Sequence, residues 1–408
     1  MSIPQKYIDN YFKRFAITQS LINDRIDPRC KTIIVIPCHN EPDLIGTLNS
    51  LLENDSPSQP LEVIIVVNQA ITHQGSVVEL QNKETIASFN VWNDQHKSDS
   101  IKFHLIESLD MPPKHAGVGL ARKIGMDEAF RRFVSIDTNG TIVCLDADCR
   151  VSKNYLVSID KQFSQSSAGL GEVNFEHSFQ LEHDDALKKG IVNYELFLRY
   201  YVEGLRSADF PYAIQTIGSC MLVKASVYAK HGGMNKRKAG EDFYFLHKII
   251  PHETFLEVSE GTVYPSCRTS DRVPFGTGKA QQDWLNQEKE DYLTYDPRVF
   301  LALKSLIRQT DSFFQSDAEQ VTNQLPPIPQ SFIKAHGFSE KIELIKSNCR
   351  TSDQFRKQFF IWFDGFLCMK FVHFTRDEYY PNIPIRKAID TSGFPWDERT
   401  LQLIRSCQ

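Results

Sequence analysis

Apolar residues follow two rhythms along this chain, and the change between them divides it. Thr32-Ile33-Ile34-Val35-Ile36 is β-branched at every position. Such a run suits a strand covered on both faces, as in a parallel sheet. Pro37-Cys38-His39-Asn40-Glu41-Pro42 ends it. Asp43–Leu52 then carries Leu44, Ile45, Leu48, Leu51 and Leu52 at helical spacing. Val63–Val67 is a second buried-strand run. Strand, helix, strand is a βαβ unit, which predicts parallel pairing with a right-handed crossover. Phe103–Ile106 predicts a third strand and Val118–Phe133 a helix. Thr141–Leu145 predicts a fourth strand, running straight into Asp146-Ala147-Asp148. Residues 70–100 are polar and show no clear period. Ahead of the first strand, residues 1–30 predict a short helical preface, with Tyr7, Tyr11, Phe12 and Phe15 on one face.

Beyond residue 155 the pattern is mixed. Ala186–Tyr201 reads as an amphipathic helix, Met221–Val223 as a short strand, Glu241–Ile250 as a helix, and Val263 as part of another strand. From about residue 290 helical periods dominate, broken at Leu325-Pro326-Pro327-Ile328-Pro329. The expected organisation is a preface (1–30), an α/β domain (31–290) and a mainly helical C-terminal extension (291–408). Phe359-Phe360-Ile361-Trp362-Phe363, with Phe366, Phe371 and Phe374, reads as a buried helical core; an acceptor- or lipid-facing surface is the sharper alternative.

Composition narrows the function classes. The chain has 408 residues, 41% hydrophobic and 24% charged, an ordinary globular balance. Its net charge of −5 provides no global field for nucleic acid, so none is expected as a partner. The nine cysteines are scattered, with no Cys-x-x-Cys, which argues against structural zinc and for reduced thiols in a cytoplasmic protein. The N-terminus lacks a signal-type apolar core, and no stretch approaches the ~20 apolar residues that cross a bilayer. Peripheral membrane contact is compatible with the sequence.

Three features carry chemistry. Asp146 and Asp148 follow a buried strand, at the edge where open α/β sheets bind ligands. Like charges so close repel, and a divalent cation bridging them to a diphosphate relieves that repulsion. Hard oxygen donors suit Mg²⁺ or Mn²⁺. Taken alone, Asp-x-Asp is more often a solvated turn. Pro37, His39, Asn40 and Glu41 form the second feature: Asn40 and Glu41 can hydrogen-bond a base or ribose, or else merely cap the next helix. The third is Gly240-Glu241-Asp242, an acidic helix start. It reads as a cap stabilised by the helix dipole or as a general base for an acceptor hydroxyl.

Taken in order, these features resemble glycosyltransferase family 2, the inverting enzymes of the GT-A nucleotide-sugar fold, over roughly residues 31–280. Ile33–Glu41 resembles the family's first strand and its Pro-x-x-Asn-Glu turn. Gly119-Leu120-Ala121-Arg122-Lys123-Ile124-Gly125 resembles a segment that lies beside the donor base. Asp146 and Asp148 match the Asp-x-Asp motif. Thr216–Leu222 and His231-Gly232-Gly233-Met234 resemble acceptor-side glycine segments, and Glu241-Asp242 matches the Glu-Asp pair. The resemblance implies a mixed, mainly parallel sheet flanked by helices. It also implies a nucleotide-diphosphate sugar as donor, Mn²⁺ or Mg²⁺ as cofactor, Asp242 with Glu241 as the catalytic pair, and inversion at the sugar. The acceptor stays open among carbohydrate, lipid-linked and small-molecule classes.

The chain departs from the family at several points. The second strand ends in Asn68-Gln69-Ala70 instead of an Asp-Asp pair, leaving Asn68 to meet the base. Lys123 replaces the family's Asn. No His near residue 265 offers a third metal ligand; Asp271 can serve, or the diphosphate and water. Arg268 and Arg272 can clamp phosphates or lie on the surface. Phe275-Gly276-Thr277-Gly278-Lys279 lacks P-loop spacing and reads as a loop over the donor. An NAD-type oxidoreductase requires Gly-x-Gly-x-x-Gly after the first strand, and a nucleotidyltransferase a basic glycine loop there; neither is present. A catalytically degenerate nucleotide-sugar-binding module is the remaining alternative.

Overall fold

The computed structural model describes residues 2–17, 19–179, 184–270, 276–286 and 291–406. Two compact units emerge, each drawn from two stretches of chain: residues 1–182 with 216–279, and residues 183–215 with 280–408.

The first unit is built on the sheet. In chain order its elements are α1 (Gln5–Arg14), β1 (Thr32–Cys38), α2 (Leu44–Leu52), β2 (Leu61–Ala70), α3 (Val77–Gln95), β3 (Ile101–Met111), α4 (Val118–Ser135), β4 (Thr141–Cys144), β5 (Arg150–Val151), α5 (Tyr155–Ser158) and β6 (Leu170–Phe175). After α6 (Asp185–Ser207), which belongs to the second unit, come β7 (Met221–Lys224), α7 (Ala225–Lys230), α8 (Glu241–Ile249) and β8 (Phe255–Tyr264). The strand order is β3-β2-β1-β4-β7-β6-β8-β5. The first four strands run parallel, and β7 and β5 are antiparallel to their neighbours. This is the mixed, mainly parallel, GT-A-like sheet with flanking helices that the sequence predicts.

The sheet centre follows from side-chain type. Every residue of β2 is buried, and Ile33 to Cys38 of β1 are buried too, which is why these strands read as unbroken apolar runs. Helix α4 lies close against them: a Cβ on Gly125 would stand 2.4 Å from Val35 Cγ1 and 3.1 Å from Val66 Cγ2.

Three stretches differ from the sequence reading. Residues 77–95, which show no period, form α3. It buries Asn82, Thr85, Phe89 and Trp92 while exposing Val77, Leu80 and Val91, so apolar and polar residues occupy both faces and the period blurs. The N-terminal preface is helical only through α1. Residues after it run without regular structure and are held by two acids of α4. Tyr11 donates to Asp127, as does the backbone N–H of Ile17 (3.2 Å); Leu21 and Ile22 donate theirs to Glu128 (3.0 and 3.2 Å). Finally, Thr277-Gly278-Lys279, read as loop, opens a helix, α9 (Thr277–Leu285); Phe275 lies outside the described residues.

The second unit is helical. It gathers α6 with α10 (Pro297–Ile307), α11 (Thr310–Gln315), α12 (Ala318–Gln324), α13 (Pro327–Ala335), α14 (Phe338–Ser347), α15 (Ser352–Trp362), α16 (Gly365–Glu378), α17 (Ile385–Ser392) and α18 (Glu398–Ser406). Phe359, Phe360, Phe363 and Phe371 are buried in it, so those members of the aromatic runs are core. Glu195 of α6 is fully buried and accepts from Arg199 (3.0 Å) and from Arg399 of α18 (2.9 and 3.1 Å). Among the described residues no helix is long and apolar enough to cross a membrane.

Candidate active site

The site lies at the carboxyl ends of β1 and β4, where the order 3-2-1-4 reverses direction. At such switch points the loops from neighbouring strands diverge and leave a crevice. Pro37 sits inside a central strand, where proline would normally cost a ladder bond. Here it stands at the end of the ladder. Val35 accepts from Leu145 N–H (3.1 Å). Pro37, two residues on, faces the same side, just beyond the last residue of β4.

The turn after β1 is fixed by its own polar groups. Asn40 has φ +48°, a left-handed conformation that asparagine tolerates better than most residues. Its N–H donates to Asn82 Oδ1 of α3 (2.9 Å). His39 Nδ1 meets the Asn68 carbonyl at 2.7 Å. Thr85 donates to the Glu41 carbonyl at 2.8 Å. Glu41 is thereby held buried at the crevice, one carboxylate oxygen accepting from Asp43 N–H (2.9 Å) and the other from Arg268. Asn68, at the end of β2, is 3% exposed, and its Oδ1 has no hydrogen-bond partner.

The Asp146-Ala147-Asp148 turn closes with Cys149 N–H donating to the Asp146 carbonyl (3.2 Å). Thr47 of α2 pins its middle, donating to the Ala147 carbonyl at 2.7 Å. The two aspartates then face different guanidinium groups. Asp148 meets Arg268 at 3.3 Å. Asp146 meets Arg122, whose other nitrogen reaches Glu241. One guanidinium thus joins the Asp-x-Asp turn to the Glu-Asp pair. Arg122 is only 2% exposed, so it braces these acids from within the wall of the crevice. Two glycines make room: a Cβ on Gly218 would stand 2.3–2.6 Å from the Arg122 guanidinium, and one on Gly119 would stand 2.9 Å from Glu241 Cβ.

Glu241 and Asp242 open α8 after Gly240, which is left-handed at φ +68°. The Glu241 carbonyl is held by Asn235 Nδ2 at 2.8 Å. Burial is the largest influence on both carboxyls and raises both above the usual carboxylate range, with Arg122 opposing it. Burial also works against the charge on Arg122, but Asp146 and Glu241 outweigh it. The thiols of Cys144 and Cys149 nearby are pushed up by burial, Cys144 to about 12, so neither supplies a thiolate nucleophile.

Asp271 and Arg272 lie outside the described residues. Among those described, no cluster of three His, Cys, Asp or Glu side chains gathers as a metal shell. The donor chemistry still fits a hard divalent cation. Asp146 and Asp148 offer carboxylate oxygens, and their side chains are 37% and 25% exposed, open enough for a diphosphate and water to complete a shell. The residues missed from sequence are Asn82 and Thr85. Both sit on the helix whose period is blurred, and only their polarity at inward positions could have marked them.

No protein-family model matches the chain, and no curated protein matches its sequence. Among solved structures the chain is similar to S. aureus TarS residues 1–349 in complex with UDP-GlcNAc, at 12% identity and TM-score 0.43, over 80% of this chain and 89% of that one. It is also similar to the mannosyltransferase PcManGT from Pyrobaculum calidifontis in complex with GDP-Man and Mn²⁺, at 13% identity and TM-score 0.40, over 95% and 86%. A third is GalNAc-T7 with UDP, GalNAc and Mn²⁺, at 14% identity and TM-score 0.38, over 86% and 58%. Such scores mark a distant likeness in architecture.

Proposed function

We propose that this chain is a glycosyltransferase of the family 2 type, transferring a sugar with inversion from a nucleotide-diphosphate sugar to an acceptor hydroxyl. The observation that carries this reading is the junction at Arg122. Asp146 and Glu241, from motifs far apart in sequence, meet on one guanidinium at the carboxyl edge of the sheet. A divalent cation, Mn²⁺ or Mg²⁺, held by Asp148 and Asp146, would offset charge building on the departing diphosphate.

The chain's own residues have separate tasks. Asn68 and the His39–Glu41 turn receive the nucleoside. Arg268 pairs with the diphosphate once it releases Asp148. Asp242 takes the proton from the acceptor hydroxyl as that oxygen bonds to the anomeric carbon and the diphosphate leaves from the opposite face. Glu241, locked to Arg122, fixes the start of α8 and hence the direction of Asp242. Buried thiols, Cys144 and Cys220 among them, are in keeping with a reducing, cytoplasmic setting.

The test is thermal stability with Mn²⁺ and UDP-, GDP- and dTDP-sugars, on wild type and Asp148→Ala. Ligand binding to the native state raises the midpoint by mass action. A metal-dependent rise with one nucleotide, absent in the variant, supports the reading and names the base. No rise with any donor overturns it. With the donor in hand, Asp242→Asn is expected to lower kcat by about 10²–10⁴-fold while leaving donor binding intact. Because burial raises the Asp242 carboxyl, its ionised form is lost as pH falls through a range above that of ordinary carboxylates. The acid limb of kcat/KM is therefore expected at a higher pH than an ordinary aspartate would give, as read from a pH–rate profile.

A further inference from the structure

Helix α1 precedes the sheet in the chain, yet its contacts lead to the Glu241–Asp242 pair. Tyr11 is fully buried and stands against Gly233, where a Cβ would lie 2.2 Å from the Tyr11 hydroxyl oxygen. Phe15 stands against Gly232, where a Cβ would lie 3.1 Å from its ring. Both glycines are left-handed, at φ +74° for Gly232 and +68° for Gly233, so the chain can bend closely past the two rings.

The Tyr11 hydroxyl is fixed in turn. It donates to Asp127 and accepts from Lys123 Nζ (2.9 Å). Tyr228 of α7 donates to the same Asp127 oxygen (2.6 Å). Asp127 and Lys123 are 1% and 3% exposed. Packing alone would be served by phenylalanine. A buried hydroxyl with charged partners holds the ring in one orientation, which packing does not require.

Gly233 begins the short segment that fastens α8. Lys248, in the last turn of α8, donates to the Gly233 carbonyl (3.2 Å). Asn235 donates to the Glu241 carbonyl in the first turn (2.8 Å). The helix that carries Asp242 is thus tied near both ends to residues 233–235, and Gly233 lies on Tyr11. A second route runs through α4. Arg122 and Lys123 are adjacent there: Arg122 meets Asp146 and Glu241, while Lys123 meets Tyr11.

We propose that Tyr11 is a positioning residue for Asp242: the docked α1 sets the direction of the general base, and with it the rate of acceptor deprotonation, without touching the donor. The proposal rests on the glycosyltransferase reading and adds to its machinery an element outside the sheet. A displacement of ~1 Å at a reacting group can cost about 10²-fold in rate.

The experiment compares wild type, Tyr11→Phe, Lys248→Met and Phe163→Leu. Phe163 is fully buried in the same unit, beside Gly171 and the Lys224 ammonium, and controls for general loosening. Amide hydrogen exchange is read by mass spectrometry without ligand. Release of nucleoside diphosphate is then measured from UDP-glucose, GDP-mannose and dTDP-glucose, with Mn²⁺ and with water as acceptor. In that reaction Asp242 takes a proton from water as its oxygen bonds to the anomeric carbon and the diphosphate leaves. Tyr11→Phe and Lys248→Met are expected to speed exchange about tenfold within residues 233–246. They should also lower kcat about 10–100-fold with KM for the sugar nucleotide unchanged. Phe163→Leu should leave both the exchange of 233–246 and kcat as in wild type. Unchanged exchange of 233–246 in Tyr11→Phe overturns the proposal. So does loosening spread evenly over the unit, or an equal fall of kcat in Phe163→Leu, since either makes α1 a merely structural helix. A raised KM with unchanged kcat overturns it as well, assigning α1 to the donor. Wild type that neither binds nor cleaves any of the three removes the glycosyltransferase reading itself, a result independent of the exchange pattern.

Discussion

Gly218 carries no side chain because the Arg122 guanidinium already fills that space, a Cβ there coming within 2.3 Å of it. Gly218→Ala should therefore displace the guanidinium and cost about 1–3 kcal/mol, the usual range for overpacking. Arg122→Met should cost more, about 3–5 kcal/mol, because it leaves Glu241 buried without its counter-charge. Urea denaturation of the two variants checks both the sizes and their order. His247 on α8 offers a separate test. Its Nδ1 has no partner, Phe243 packs against its ring at 4.5 Å, and burial lowers it to about 4. A histidine held neutral when folded but protonated when unfolded makes stability fall as pH drops from about 6.5 to about 4. His247→Phe should flatten that slope by up to about 3 kcal/mol, read from urea midpoints across this window.

Whole elements show what holds the frame in place. Helix α1 docks through Tyr11, fully buried, whose hydroxyl donates to Asp127 and accepts from Lys123 (2.9 Å). Tyr11→Phe keeps the ring but leaves those charges short of a partner, for an expected loss of about 1–3 kcal/mol in thermal or urea unfolding. Strands β1, β2 and β4 were legible in the sequence because each buries a continuous apolar run; β5 and β6, short or broken by Gly, Glu and Asn, were not read. The candidate site was legible for a related reason. The Pro37–Glu41, Asp146–Asp148 and Gly240–Asp242 segments stand where a periodic run stops, and chemistry at a run's end has few structural duties to hide it. Helix α3 was not legible, since Leu80 and Val91 face outward while Asn82 and Thr85 face inward. Nor was the use of Arg122: a buried arginine is readable only when both of its distant acids are known.

At the scale of the molecule, the chain leaves the sheet unit after residue 182, contributes α6 to the helical unit, returns at 216 and leaves again after 279. Helix α6 therefore has its partners at the far end of the sequence. Gly204 lies against the Phe300 ring (a Cβ there would come within 2.4 Å), Tyr200 donates to the Tyr295 carbonyl (2.8 Å), and Glu195 is met by Arg399. Time enters through this threading. A chain growing on the ribosome presents α6, with Ile191, Leu196 and Tyr200 bare, long before Arg399 is made. The nascent protein must carry a sticky helix until residues 280–408 emerge. A stop after residue 279 is expected to leave that helix permanently orphaned, cut within 183–215 by brief protease treatment that spares the full-length chain. A premature stop after residue 279 would thus harm a helix encoded well upstream of it.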